Sequence, residues 1–154
     1  MLLIKLTGLY NRHYMIEVLE NLDTSDDSRI LAMADIDHFK TINDNHGHNA
    51  GDYVLQKLSG IFRDNCPGAD ISRWGGEEFL ILNQNSPTDA DYFEKLRNAV
   101  ENTEFEFEGS LINVTVTIGV ASRQKDEAID KWVGRADENL YYGKNHGRNT
   151  VIQS

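Results

Sequence analysis

The run Ile30-Leu31-Ala32-Met33-Ala34, which stops at Asp35-Ile36-Asp37, has no polar face. It is too short for a buried helix, and it predicts a strand from Arg29 to Ile36 with both faces covered. A sheet built on such a strand needs a layer on each side. Met15, Val18, Leu19 and Leu22 fall at i, i+3, i+4 and i+7, predicting an amphipathic helix over about Asn11 to Leu22. Val54, Leu55, Leu58, Ile61 and Phe62 mark a second helix that ends at Cys66-Pro67-Gly68. Ile71 to Arg73 and Phe79 to Leu82 are short strand-like runs around Gly75-Gly76, which reads as a hairpin.

A third helix is expected to start near Ser86-Pro87-Thr88 and to run through Phe93, Leu96 and Val100. Phe105 and Phe107 alternate with glutamates, and Gly109-Ser110 is expected to turn the chain into Leu111. Val114 to Ala121 predicts a core strand. Ile129, Trp132, Val133, Ala136 and Leu140 give a last helix, and Thr150 to Ile152 an edge strand. The alternation of helices and strands, with at least one antiparallel pair, predicts an α/β fold with a mixed sheet.

Bulk properties narrow the function. The formal net charge is −10, from 25 acids against 15 bases, whereas a nucleic-acid binder needs a positive surface. No stretch approaches the ~20 apolar residues of a membrane span, and Met1-Leu2-Leu3-Ile4-Lys5 is too short for a signal peptide. One cysteine, Cys66, excludes an internal disulfide and fits a reducing compartment. The expected location is therefore the cytoplasm, with no nucleic acid and no membrane contact by this domain. Whether a parent protein is membrane-anchored is left open.

Three places carry residues suited to chemistry. Asp35, at the exit of a buried strand, is a rigidly held carboxylate of the kind Mg²⁺ prefers. An isolated Asp-x-Asp is more often a solvated strand end or helix cap. Gly75-Gly76-Glu77-Glu78 joins a turn that a ligand can approach closely to two acids, although alone it is most simply an exposed acidic turn. Together with Asp35 it suggests carboxylates converging across adjacent strands, as in two-metal phosphoryl transfer. Lys144 and Arg148, four apart, present two cations suited to terminal phosphates, against the plainer reading of a basic helix end. No Gly-x-x-x-x-Gly-Lys-Ser/Thr motif occurs, so an ordinary P-loop is excluded.

Six blocks in order carry a resemblance. They are Leu6-Thr7-Gly8-Leu9-Tyr10-Asn11-Arg12, Asp35-Ile36-Asp37-His38-Phe39-Lys40-Thr41-Ile42-Asn43-Asp44, Gly47-His48-Asn49-Ala50-Gly51-Asp52, Arg73-Trp74-Gly75-Gly76-Glu77-Glu78-Phe79, Val116-Thr117-Ile118-Gly119-Val120-Ala121, and Ala136-Asp137-Glu138-Asn139-Leu140-Tyr141 followed by Gly147-Arg148-Asn149. Over nearly its whole length the chain resembles the GGDEF diguanylate cyclases, in a Gly-Gly-Glu-Glu-Phe variant. The resemblance implies a palm-like, ferredoxin-related nucleotidyl cyclase architecture with a mainly antiparallel central sheet flanked by helices. It implies that Asp35, the Ile36 carbonyl and Glu77 hold Mg²⁺ (two ions per site, with Mn²⁺ able to substitute). Asn43 and Asp52 are then expected to read guanine. Lys40, Lys144 and Arg148 are expected to meet the phosphates, helped by backbone N–H groups around His38 and Phe39. Guanine offers N1–H and N2–H₂ side by side to a carboxylate, and adenine does not. A buried carboxylate left unpaired is costly, so Asp52 is expected to select GTP over ATP strongly.

The implied reaction condenses two GTP into cyclic di-GMP with release of pyrophosphate, in a homodimer. The catalytic set is Glu77, Glu78, Lys144 and Arg148, with Glu78 a candidate for further metal or proton handling. Residues 1–154 are expected to be one catalytic domain with no regulatory domain ahead of it. The alternative is a catalytically silent module that binds GTP or a partner protein. It is disfavoured because the turn glutamates and the phosphate cations are all present, and a related cyclase with a mixed or mononucleotide product is disfavoured by Asp52.

Two departures stand out. Where many family members have an Arg-x-x-Asp product-inhibition site, this chain has Cys66-Pro67-Gly68-Ala69, so that site is expected to be absent. The family's Asp two residues before the Leu-Thr-Gly-Leu run is Ile4 here. His46-Gly47-His48 is expected to be loop rather than a transition-metal pair. Trp74 and Trp132 are expected to be packing residues, Cys66 an incidental thiol, and Asp37 structural.

Overall fold

The computed structural model describes residues 2–23, 25–83 and 91–154. In chain order its elements are α1 (Arg12–Glu20), β1 (Ile30–Ile36), α2 (Phe39–His46), α3 (His48–Asn65), β2 (Asp70–Arg73), β3 (Glu78–Asn83), α4 (Tyr92–Glu101), β4 (Phe105–Phe107), β5 (Ser110–Ile112), β6 (Val116–Ser122), α5 (Ile129–Lys144) and β7 (Val151–Gln153). The helix start expected at Ser86-Pro87-Thr88 lies outside the described residues.

The apolar run becomes the central strand of a five-stranded sheet ordered β2-β3-β1-β6-β7. β1 is antiparallel to β3 and β6, β2 is antiparallel to β3, and β7 runs parallel to β6 at the edge. The fold is thus α/β with a mainly antiparallel sheet, as expected. All seven residues of β1 are buried, and the strand period of two divides them between two cores. Ile30, Ala32, Ala34 and Ile36 join Val54, Leu58 and Phe62 of α3 and Phe93, Leu96 and Val100 of α4. Leu31 and Met33 join Met15 and Leu19 of α1 and Trp132, Ala136 and Leu140 of α5.

Local chemistry sets the joints. The Asn11 side chain caps α1 by accepting from the Tyr14 N–H at 2.8 Å. Trp132, fully buried, donates its indole N–H to the Ala121 carbonyl at 2.8 Å, which satisfies its polar end. At Gly119 a Cβ would fall on the Ala136 carbonyl and the Leu140 amide, so β6 and α5 pack backbone to backbone.

Two expectations are corrected. His46-Gly47-His48 is a helix junction rather than a loop. His46 ends α2, His48 begins α3, and Gly47 breaks between them at φ 90°. α2 escapes periodicity because it is only eight residues long and Ile42 is its one buried side chain. The β4–β5 turn is Glu108-Gly109 (φ 50° and 81°), with Phe107 opposite Ser110. That register puts Phe105 opposite Ile112, both buried; a slip of one would turn one of them outward.

Candidate active site

β1 and β3 bring their acids to one edge of the sheet. Asp35 stands opposite Glu78 on one side and Thr117 on the other. The turn after β2 folds tightly: the amides of Trp74 and Gly75 both donate to the Glu78 carbonyl, at 2.8 and 3.1 Å. Arg73 closes it, its Nε and Nη2 donating to the Gly76 carbonyl at 3.1 and 2.7 Å. The Ile36 amide donates to the Glu77 carbonyl at 3.3 Å and ties the turn to the end of β1.

Past β1 the chain turns at His38, in left-handed conformation (φ 54°), and α2 begins at Phe39. A cavity of about 190 Å³ opens there. Asp35, Ile36, Glu77, Lys144 and Arg148 line it, together with His38, Phe39 and Lys40. The first amides of a helix have no partner within it, so this end of α2 offers donors to an anion. Lys144, the last residue of α5, donates to the Asp35 carboxylate. Lys40 pairs with Asp44 at 2.8 Å on an exposed face.

A second cavity, about 380 Å³, shares Phe39 and Glu77 with the first and is lined by Asn43, Asp52, Leu55 and Arg73. Asn43 comes from α2 and Asp52 from α3. Gly51 lets them converge, since a Cβ there would occupy the position of Asn43 Oδ1 and meet the Phe39 ring at 3.2 Å. Asp52 is exposed rather than buried, so the cost of an unpaired buried carboxylate does not apply to it. Its carboxylate loses water only when a base covers it, and the expected selectivity is correspondingly smaller. Arg73 is a pocket residue that sequence reasoning passed over; its signal was an arginine immediately before the Trp-Gly-Gly turn.

A larger cavity, about 520 Å³, lies between α1 and α5, with Leu19, Met33, Ile129 and Val133 among its walls. Neither Lys144 nor Arg148 lines it, although Glu78 reaches it and Arg12 stacks over Trp74 at 4.3 Å on its rim.

The electrostatics of the edge are those of a site short of positive charge. Burial raises the Asp35 carboxyl, Glu77 and Asp37 push it further, and Lys144 opposes them. Burial likewise raises Glu77, with Glu78 adding to it, and raises Glu78, with Asp35 adding to it. Burial alone would lower Lys144, but the carboxylates of Asp35, Glu78 and Glu77 carry it above the ordinary lysine value. Hard oxygens held under mutual repulsion suit Mg²⁺, which takes one or two carboxylates and completes its shell with phosphate oxygens and water. Among the described residues, no three histidine, cysteine or acidic side chains are gathered closely enough to hold a metal unaided. Asp37 is buried and also lines the cavity at Asp35, but its carboxylate is committed to hydrogen bonds. It accepts from Thr115 and Thr117 hydroxyls at 2.7 and 2.6 Å and from the Asn149 amide at 3.0 Å.

Among the described residues no helix is long and apolar enough to cross a membrane. Comparison with known proteins agrees with the motif order. The family model described as diguanylate cyclase, GGDEF domain, matches residues 5–150. Diguanylate cyclase A of Treponema denticola is 38% identical over 160 residues, covering 97% of this chain and 43% of that protein. Diguanylate cyclase DgcP of Pseudomonas aeruginosa is 40% identical over 155 residues, covering 95% of this chain and 23% of that one. The chain therefore spans less than half the length of these curated relatives. The GGDEF domain of DgcB from Caulobacter crescentus, solved in complex with c-di-GMP, has a TM-score of 0.91 to this fold at 30% identity, over 99% of this chain and 95% of that one. With a family match over almost the whole chain, and the fold and the ordered motifs in agreement, the chain belongs to the GGDEF-domain family of diguanylate cyclases.

Proposed function

We propose that this domain condenses two GTP molecules into cyclic di-GMP, with release of two pyrophosphates, when two copies meet face to face. The observation that carries this reading is the pair of joined cavities. One is lined by acids and cations suited to a metal-bound triphosphate, the other by Asn43 and Asp52, and Glu77 stands between them. One base cavity beside one phosphate cavity accommodates one GTP per domain, so the second substrate must come from a second copy.

In this reading Asn43 and Asp52 accept from the guanine N1–H and N2–H₂. Lys40, Lys144, Arg148 and the first amides of α2 hold the phosphates. Asp35, the Ile36 carbonyl and Glu77 hold two Mg²⁺ ions, or Mn²⁺ in their place. Metal held there would supply a lower pKa for the attacking hydroxyl and offset charge on the phosphoryl oxygens. The 3′-hydroxyl of one GTP attacks the α-phosphorus of the other, and the bond to the bridging oxygen breaks. Lys144 and Arg148 stabilise the departing pyrophosphate. Glu78, opposite Asp35 across the strand pair, is the candidate to take the hydroxyl proton or assist a metal. The same attack in the opposite direction closes the ring.

The test is to incubate the purified domain at high concentration with GTP and Mg²⁺ beside a Glu77→Ala control and to separate the nucleotides by chromatography. Cyclic di-GMP and pyrophosphate from the unmodified chain alone support the reading. Absence of product even in a forced dimer refutes it, and GTP binding without turnover would leave a silent sensor module.

A further inference from the structure

The loop between α5 and β7 holds three successive residues at positive φ: Gly147 at 99°, Arg148 at 59° and Asn149 at 45°. Left-handed backbone is unfavourable for a residue with a side chain, and asparagine tolerates it better than arginine. Such a conformation persists only where its surroundings over-determine it. The Arg148 amide donates to the Gly143 carbonyl at 3.0 Å, and the Asn149 amide is shared between Asp37 Oδ2 at 3.0 Å and Thr117 Oγ1 at 3.1 Å. These bonds fasten the loop to the end of α5, to β6 and to Asp37 just past β1.

The Asn149 side chain makes a second anchor, to α4. Its Oδ1 accepts from Arg97 Nη1 at 2.6 Å, and its Nδ2 donates to Glu101. Arg97 is itself held. It is 9% exposed, its Nε and Nη2 are forked onto Glu94, and Nη2 also reaches Asn98 Oδ1 at 2.8 Å. A buried guanidinium committed on one side to its own helix thus reaches a loop 52 positions away. Arg97 and Asn149 do not line the phosphate cavity, whereas Arg148, between the two anchored amides, does.

We propose that Arg97 and Asn149 form a latch from α4 to the α5–β7 loop that holds Arg148 in the phosphate cavity, which makes Arg97 a positioning residue for phosphate binding. This rests on the reading of Arg148 as a phosphate ligand. The plainer role, a staple joining α4 to the sheet, would change stability without changing which part of a nucleotide is bound.

The test compares binding of GTP and GMP, each with Mg²⁺, by calorimetry. The variants are Arg97→Leu, which keeps the buried stem, and Asn149→Gly, which keeps the left-handed backbone but removes the side-chain arm. Both should weaken GTP about tenfold, the worth of one charge-assisted contact, and leave GMP unchanged. In an Arg148→Ala background neither should weaken GTP further, because the latch acts only through Arg148. A folded Asn149→Gly variant with an unchanged GTP-to-GMP ratio overturns the latch, as does a loss that persists in the Arg148→Ala background. An unmodified chain with no preference for GTP over GMP overturns the phosphate reading itself and the latch with it, a result distinct from failure of the latch alone.

Discussion

Lys144, at the end of α5, donates its ammonium to Asp35, 109 positions earlier on β1, and both line the cavity proposed for the phosphates. The pair joins a cation assigned to the triphosphate to a carboxylate assigned to the metal. Asp35→Asn keeps the shape and a weaker acceptor for Lys144 but removes the charge that attracts a metal. Its turnover of GTP should fall by about 10² or more, with the unfolding midpoint little changed. Chelation by EDTA should abolish turnover in the unmodified chain, and added Mg²⁺ or Mn²⁺ should restore it. Full activity of Asp35→Asn, followed by pyrophosphate release, would remove Asp35 from the metal site.

Gly51 leaves Asn43 its room in the cavity proposed for the base. Gly51→Ala puts a methyl where Asn43 Oδ1 lies and against Phe39, an overpacking expected to cost about 1–3 kcal/mol in urea unfolding. It should abolish guanine-dependent binding. Asp52→Ala is the milder change, since the carboxylate starts exposed. Its preference for GTP over ATP should drop about tenfold rather than disappear. Competition of ATP against a fluorescent GTP analogue measures both.

Product inhibition through an Arg-x-x-Asp pair should be absent. The first position of that pattern is Cys66, a buried residue that caps α3, and the fourth is Ala69. The arginine ahead of it, Arg63, donates to the Thr7 carbonyl at 2.8 Å and is engaged elsewhere. Titration of cyclic di-GMP into a Glu77→Ala variant should give no tight binding, and micromolar or tighter binding would contradict this.

Cys66 should be inert in the folded protein. It is 1% exposed, and burial pushes its thiol up to about 11, whereas the thiolate is the reactive form. A chromogenic disulfide reagent at pH 8 should report no thiol until denaturant is added, and then one. Rapid reaction in the native state would mean that the α3 end opens readily.

Glu127 supplies a pH-dependent part of the stability. The hydrogen bond from Arg135 holds its carboxyl below the ordinary glutamate value despite burial, with Arg135 Nε and Nη2 at 2.6 and 2.7 Å. A carboxylate depressed in the folded state stabilises at pH above its unfolded value, and that stability is lost as pH falls through the folded value. Glu127→Gln should therefore destabilise the fold by about 1–3 kcal/mol at pH 7, and the difference should shrink towards zero on acidification. A difference that stays constant between pH 7 and pH 3 in urea melts would show that charge is not the cause.

The chain order of motifs, the two-sided burial of β1 and the apolar stripes of α1, α3 and α5 are legible in the sequence, because each is a local pattern with a period. The family and the sheet follow from them. α2 was not legible, since eight residues with one buried side chain carry almost no period. The Glu108-Gly109 turn was misplaced by one residue, because only the pairing of Phe105 with Ile112 selects its register.

The sequence by itself determined which residue types gather there: carboxylates at the ends of β1 and β3, cations at and after the end of α5, and Asn43 and Asp52 on either side of Gly47. Only the tertiary structure decided that Lys144 rests on Asp35, that Asp52 is exposed, and that Asn149 is held by Arg97 and Asp37. The physical reason is distance along the chain. Periodicity reports forces among near neighbours, whereas these pairings span 52 to 112 positions and form only when sheet register and helix packing bring their ends together.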